Sequence, residues 1–296
     1  MLPSREQIPK LTLGTAQVGS PYGIANTTGK PAVASANEIF DKAYAHGIKC
    51  FDTAPEYGDA EQRIGDWMGA GNRDVSIITK LSQNICANDV EKAIYASRER
   101  LNTKTLETLL FRGSDVFLNR EFISRLYEIK AAGLVRHLGV SVYTVKEAEQ
   151  ALDVEEIEVL QVPLNIFNWQ FVRSGFLDRA SAAGKIVMAR SIFCQGLLLL
   201  NEGMVPSSLA EAKPAIRLLE ELSRETGFSR IELAVSAVCS VNKISSFVVG
   251  AETAEQIDIL TSAFNRVTFE KDVLGQLESI GEMVDEFTYD PRNWNN

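Results

Sequence analysis

The chain has 296 residues, of which 45% are hydrophobic, 23% charged and 8% aromatic, enough apolar material for a large core without a disulfide or metal staple. Lys and Arg number 30 against 39 Asp and Glu, a net charge of −9, and that balance argues against a nucleic-acid partner because no cation excess is available to neutralise phosphates. The scattered Cys50, Cys86, Cys194 and Cys239 form no C-x-x-C pair, so neither a metal site nor a disulfide framework is expected.

Met1–Lys10 carries no apolar leader and no run nears the roughly 18 apolar residues that span a bilayer. The expectation is a cytoplasmic protein with no membrane partner. From Leu11 onward, short β-rich apolar runs recur, and amphipathic segments lie between them. The runs are 11–16, 48–54, 75–80, 106–111, 135–141, 158–164, 186–191 and 245–251. The clearest amphipathic segments are 34–46, 89–101, 121–132 and 253–264. Gly47, Gly133 and Gly184 each stand just before a strand, as glycines that end helices do. Asn88-Asp89 and Thr253 are suited to open helices.

The starts of the runs lie 23 to 37 residues apart until a seventh interval of 59. The shorter intervals suit one βα unit of about 30 residues, and the near-continuous apolar runs suit parallel strands buried on both faces. Eight such beats predict an α/β fold with a single (β/α)8 TIM barrel over 1–296. The long interval predicts an insertion around 197–228, and an extra C-terminal helix is expected around 270–287. A doubly wound dinucleotide fold fits less well: Gly69-Ala-Gly71 follows a helix rather than a strand and lacks its third glycine.

In a barrel of this kind reactive groups gather at the C-terminal ends of the strands. Asp52 ends the second run, Tyr57 lies in the loop after it and Lys80 ends the third. An ammonium beside a phenol would lower the tyrosine pKa from about 10, with the carboxylate fixing the lysine. Such a tyrosine can pass a proton to a carbonyl oxygen.

On these residues the sequence resembles the aldo-keto reductases, as a divergent bacterial member. Phe51-Asp-Thr-Ala-Pro-Glu-Tyr-Gly58 is similar to the family's catalytic signature and Ile77-Ile-Thr-Lys80 to its lysine strand. Gly139-Val-Ser141, Gln161-Val-Pro-Leu-Asn165, Ser191 with Gln195-Gly-Leu-Leu198, and Val248-Val-Gly-Ala-Glu-Thr253 follow in the family's order, so the likeness covers essentially the whole chain. It implies a barrel that binds NADPH or NADH without a Rossmann fold. By the same likeness Tyr57 would be the general acid, Lys80 its modulator and Asp52 the partner of Lys80.

The resemblance also assigns cofactor contacts. Gly14, Thr15 and Ala16 would line the nicotinamide end, with Ser141 and Gln161 on its carboxamide. Ser191, Gln195, Gly196 and Leu197 would approach the pyrophosphate, and Gly250, Ala251, Glu252, Thr253 and Gln256 would hold the adenosine half. Arg190 stands where the family usually has an aromatic against the nicotinamide. No Lys or Arg occurs from Gly250 to Leu260, so either cofactor form fits.

The family's fourth catalytic residue is usually a histidine in a Leu-Leu-His-Arg motif. Leu109-Leu-Phe111-Arg112 stands there, and Phe111 takes the histidine place; strand alternation turns Arg112 away unless the strand has already ended, in which case Arg112 could stand in for the missing donor. Phe111, Arg112 and Trp169 are the candidate substrate contacts. His46 and His137 lie toward the opposite end of the barrel and read as structural. The reading is an NAD(P)H-dependent oxidoreductase acting on a carbonyl or hydroxyl of a small polar, sugar-derived molecule. The alternative is a barrel that binds cofactor or ligand but has lost or rewired its catalysis, as a sensor or partner subunit. The sequence leaves the oligomeric state open.

Overall fold

A computed structural model describes residues 11–82, 85–113, 120–267 and 270–294. Met1–Lys10, on which the leader expectation rests, lies outside them. Eight parallel strands close into a barrel in sequence order: β1 (Leu11–Gly14), β2 (Cys50–Asp52), β3 (Ser76–Lys80), β4 (Leu106–Arg112), β5 (Val135–Ser141), β6 (Ile157–Pro163), β7 (Ile186–Arg190) and β8 (Ser246–Gly250). β1 closes the ring against β8, with Leu13 opposite Val249 and Gly14 opposite Gly250.

The strands form because their side chains are buried on both faces, as the continuous apolar runs imply. Inside the barrel Cys50, Ile78, Leu110, Val159, Ile186 and Met188 fill a small central cluster. Outside, alternate residues such as Phe51, Ile77, Leu109 and Phe111 pack into the larger layer beneath the helices. The predicted segments become helices Val33–Ala45, Val90–Arg100, Arg120–Ala131 and Ala254–Asn265. Gly47, Gly133 and Gly184 all take positive φ after their helices. Thr253 caps the last of them through Gln256 N (3.3 Å), whereas Asp89 makes no side-chain cap.

The long interval between β7 and β8 holds short 3-10 turns from Cys194 to Ala212 and then two helices, Lys213–Thr226 and Arg230–Cys239. The first is amphipathic, with Ile216, Leu219 and Leu222 buried, and it ends at Gly227 with φ +73°. Near the C-terminus, helix Lys271–Glu282 is followed by the short turns Glu286–Tyr289 and Pro291–Asn293. No helix among the described residues is long and apolar enough to cross a membrane.

The candidate active site

The C-terminal ends of the strands open into a cavity of about 440 Å³, a size suited to a small ligand or part of a larger one. At its base a buried polar chain crosses the barrel mouth. Lys80 Nζ donates to Asp52 Oδ1 (2.5 Å) and to the Thr53 carbonyl (3.1 Å). Gln161 Nε2 donates to Asp52 Oδ2 (2.8 Å), and Ser141 Oγ donates to Gln161 Oε1 (3.2 Å). Both Asp52 oxygens are therefore taken, which is what a buried carboxylate requires. The backbone of Asp52 is held as well, since its carbonyl accepts from both Thr15 N (2.9 Å) and Thr15 Oγ1 (3.0 Å).

Tyr57 sits above this chain, with Lys80 Nζ 5.3 Å and Arg112 Cζ 5.9 Å from its ring centre. Burial raises the Tyr57 phenol well above its ordinary value and Asp52 pushes it the same way, while Arg112 and Arg190 pull it down. The expected lowering by Lys80 is not what the environment does. Lys80 is neutralised by Asp52 at close range, and burial lowers its own pKa against the pull of that carboxylate. A phenol raised in this way keeps its proton, which a donor needs.

Three more residues complete the wall. Arg190 is held flat: Nε donates to Ser141 Oγ (3.3 Å), Nη1 to Ser191 Oγ (3.2 Å) and Nη2 to the Val142 carbonyl (3.0 Å). Its guanidinium lies 4.2 Å from the Tyr143 ring, and Arg292 lies 4.1 Å from the same ring. Tyr22, in the loop after β1, also faces the cavity, and burial raises its phenol, with Tyr57 adding to the effect. Ile24 N donates to the Gln195 carbonyl (3.0 Å), joining the β1 and β7 loops.

Of the residues singled out from the sequence, Asp52, Tyr57, Lys80, Gly14, Thr15, Ala16, Ser141, Arg190, Ser191, Gln195, Gly196, Gly250, Glu252, Gln256 and Arg112 line the cavity. Gln161 lies beneath it and acts through Asp52 and Ser141. Leu197 and Ala251 are buried in the apolar core, and Thr253 is a helix cap.

Two assignments need correction. Phe111 is buried in the outer layer, edge-on to Phe122 with ring centres 5.6 Å apart, and lies outside the cavity lining. β4 runs one residue further than the apolar run suggests, so alternation sends Leu110 into the barrel, Phe111 outward and Arg112 into the mouth. Trp169 is likewise buried away from the cavity and packs close to Gly281 of the C-terminal helix. Neither histidine approaches the mouth: His46 bonds Asp258 (2.6 Å), and His137 meets Glu158 (3.2 Å).

Sequence reasoning missed Tyr22 and Tyr143 as wall residues. Tyr143 stands two residues past Ser141, where strand alternation would have aimed it at the mouth. Nothing short of the loop path places Tyr22.

An extended dinucleotide fits these residues. Gly14 and Gly250 line the mouth, with the Gln17 side chain seated against Gly250, and Ser141, backed by Gln161, presents its hydroxyl there. Ser191, Cys194, Gln195 and Gly196 all take positive φ (58°, 48°, 53° and 97°). Within this turn Cys194 N and Gly196 N donate to the Ser191 and Phe193 carbonyls (both 2.9 Å), while Ser191, Gln195 and Gly196 line the cavity. Glu252, half-buried with its carboxyl pushed up by burial, closes the far end.

Comparison with known proteins identifies the family and the fold. The sequence pattern of the Aldo/keto reductase family matches residues 10–282. Two L-glyceraldehyde 3-phosphate reductases are similar over 92% of this chain and 88% of their own length: that of Escherichia coli O157:H7 at 27% identity and that of strain K12 at 26%. Among solved structures, an aldo-keto reductase from Bacillus halodurans in its holo form superimposes with a TM-score of 0.79, at 18% identity over 98% of both chains. A putative aldo-keto reductase from Pseudomonas aeruginosa gives 0.67, at 19% identity over 87% of this chain and 90% of its own.

Proposed function

The chain belongs to the aldo/keto reductase family and is a nicotinamide-dependent oxidoreductase, and from that premise we propose that it reduces the carbonyl group of a small, hydroxylated, sugar-derived substrate. The observation that carries this reading is the buried chain Lys80–Asp52–Gln161–Ser141 beneath Tyr57. It is a costly arrangement to bury unless every polar group has a use.

When bound, the nicotinamide supplies the hydride. The chain's part is to hold the carbonyl oxygen near Tyr57 and to pass it the phenolic proton, so that the C=O bond becomes C–OH as carbon gains hydrogen. Lys80, fixed by Asp52, lies against the Tyr57 ring, and Arg112 and Arg190 are the cations that favour the phenolate that remains. Ser141, backed by Gln161 beneath the cavity, would take the nicotinamide carboxamide, and the Ser191–Gly196 turn the phosphates. Arg190, with its donors engaged and one face on Tyr143, would present a planar cation beside the ring.

The adenosine end, with Glu252 and Gln256 and no base from Gly250 to Leu260, offers nothing to a 2′-phosphate. We read it as accepting NADH at least as well as NADPH. The name of the Escherichia coli relatives supports a phosphorylated aldehyde as the first substrate to try.

The test is titration with NADH and NADPH, followed by nicotinamide fluorescence, and then turnover of glyceraldehyde and its 3-phosphate. Saturable binding and oxidation of the cofactor by either aldehyde are expected. Failure to bind either cofactor would overturn the reading.

A further inference from the structure

Three cations line the cavity among the described residues, and two of them are largely engaged. Lys80 gives its protons to Asp52 and the Thr53 carbonyl. Arg190 gives three to Ser141, Ser191 and Val142, with a ring against one face. Arg112 differs. Its one hydrogen bond among the described residues is a long one, Nη2 to Glu56 Oε2 at 3.3 Å, and its Nε is buried with no partner. Glu56 is itself a loop residue whose side chain is 39% exposed, so water competes for it and the pair holds loosely.

The position of Arg112 is fixed by the sheet. It pairs in register with Ser141, while Lys80 pairs with Leu110, so Arg112 stands one inward-facing position nearer the opening than the lysine. A guanidinium with an idle Nε and a displaceable Nη partner is a fork that matches two oxygens of one anion.

We propose that Arg112 is the receiver for an anionic group, phosphate or carboxylate, carried by the substrate near its reacting carbonyl, and that Glu56 holds its place until the substrate displaces it. This rests on the carbonyl-reductase reading of the same cavity. Glu56 is then a positioning residue that also lowers apparent affinity, since the entering anion must displace it.

Two measurements test the proposal and keep its failure apart from that of the reductase reading. In the first, inorganic phosphate is titrated calorimetrically into the cofactor-free protein. Wild type should bind it, Arg112→Gln should weaken binding by about 10- to 100-fold, and Glu56→Gln should tighten it several-fold. In the second, kcat/KM is compared for glyceraldehyde, glyceraldehyde 3-phosphate and succinic semialdehyde. Arg112→Gln should lower the ratio of charged to uncharged substrates by a similar factor, chiefly through KM. The arm with the larger loss separates phosphate from carboxylate as the natural group.

Equal losses on charged and uncharged aldehydes, or phosphate binding indifferent to both substitutions, would overturn the anion site while leaving the reductase intact. Reduction of no aldehyde together with Arg112-dependent phosphate binding would overturn the reductase reading instead. Should Arg112→Gln fold poorly, the tightening by Glu56→Gln still decides, because unchanged or weaker binding in that variant contradicts the latch.

Discussion

The carbonyl of Tyr57 rests against Gly19: a methyl group added at Gly19 would lie 1.7 Å from that oxygen. The contact is returned, since a methyl at Gly58, where φ is +59°, would lie 2.2 Å from the Gly19 carbonyl. The loop after β1 and the loop after β2 thus interlock through two residues without side chains, and that lock sets the height of Tyr57 above Lys80. Gly19→Ala is expected to push the tyrosine loop outward and lower kcat by about 100-fold, the scale of a displacement near 1 Å at a reacting group. Cofactor affinity measured by fluorescence titration should change far less than turnover.

Tyr57→Phe removes the proton donor and keeps the ring that Lys80 and Arg112 face. Carbonyl reduction should fall by at least about 10²-fold, with cofactor affinity within about twofold of wild type. A Tyr57→Phe variant that retains most of its turnover would place the donor elsewhere, and Tyr22 would be the first residue to examine.

The barrel and its three central residues are legible in the sequence because both depend on short-range pattern. Continuous apolar runs at βα spacing give the strands, and the ends of those strands give Asp52 and Lys80. What escapes is set by single-residue register and by loop paths. β4 continues through Arg112, so its polar end looks like the start of a loop, and the side chain that enters the mouth is off by one. Trp169 lies close to the end of β6 in sequence, yet the chain turns it toward Gly281. The flat seating of Arg190 depends on Tyr143 and, through it, on Arg292 from the far end of the chain.

Glu252→Lys places a cation at the far end of the cavity, where burial now holds a carboxyl with a raised pKa. Affinity for NADPH relative to NADH should rise about fivefold, equivalent to roughly 1 kcal/mol for a half-exposed pair. Parallel titrations with the two cofactors read this directly, and an unchanged ratio would put the ribose away from Glu252.

At the opposite end of the barrel, Glu158 accepts from Lys130 (2.7 Å) and from the Leu138 backbone (3.3 Å) and meets His137. Burial alone would raise its carboxyl, but His137 and Lys130 outweigh it and lower the pKa from 4.5 to about 2. A depressed carboxylate contributes stability that is complete above the unfolded value and is lost as pH falls toward the folded one. Glu158→Gln should therefore melt below wild type at neutral pH, and the gap in Tm should close between pH 4.5 and about 2. A gap that stays constant through that window would show that the charge of Glu158 contributes nothing.

Phe111 and Arg112 give the sharpest contrast, because neighbouring positions should answer oppositely to the same new side chain. Phe111→His would bury an imidazole among Phe122 and the outer core, where it finds no partner. The expected result is a loss of about 3 kcal/mol in stability, a Tm lower by several degrees, and no gain in catalysis. Arg112→His puts the imidazole at the mouth, within reach of a carbonyl held by Tyr57. Turnover of neutral aldehydes should then rise about tenfold for a gain of roughly 1.4 kcal/mol, bounded because nothing beneath the ring is arranged to orient it. Preference for charged aldehydes should fall in the same variant, since the fork that would receive their anion is gone. If Phe111→His raised turnover while Arg112→His did not, the side-chain alternation described for β4 would be wrong, and the mouth of the barrel would have to be redrawn one residue earlier.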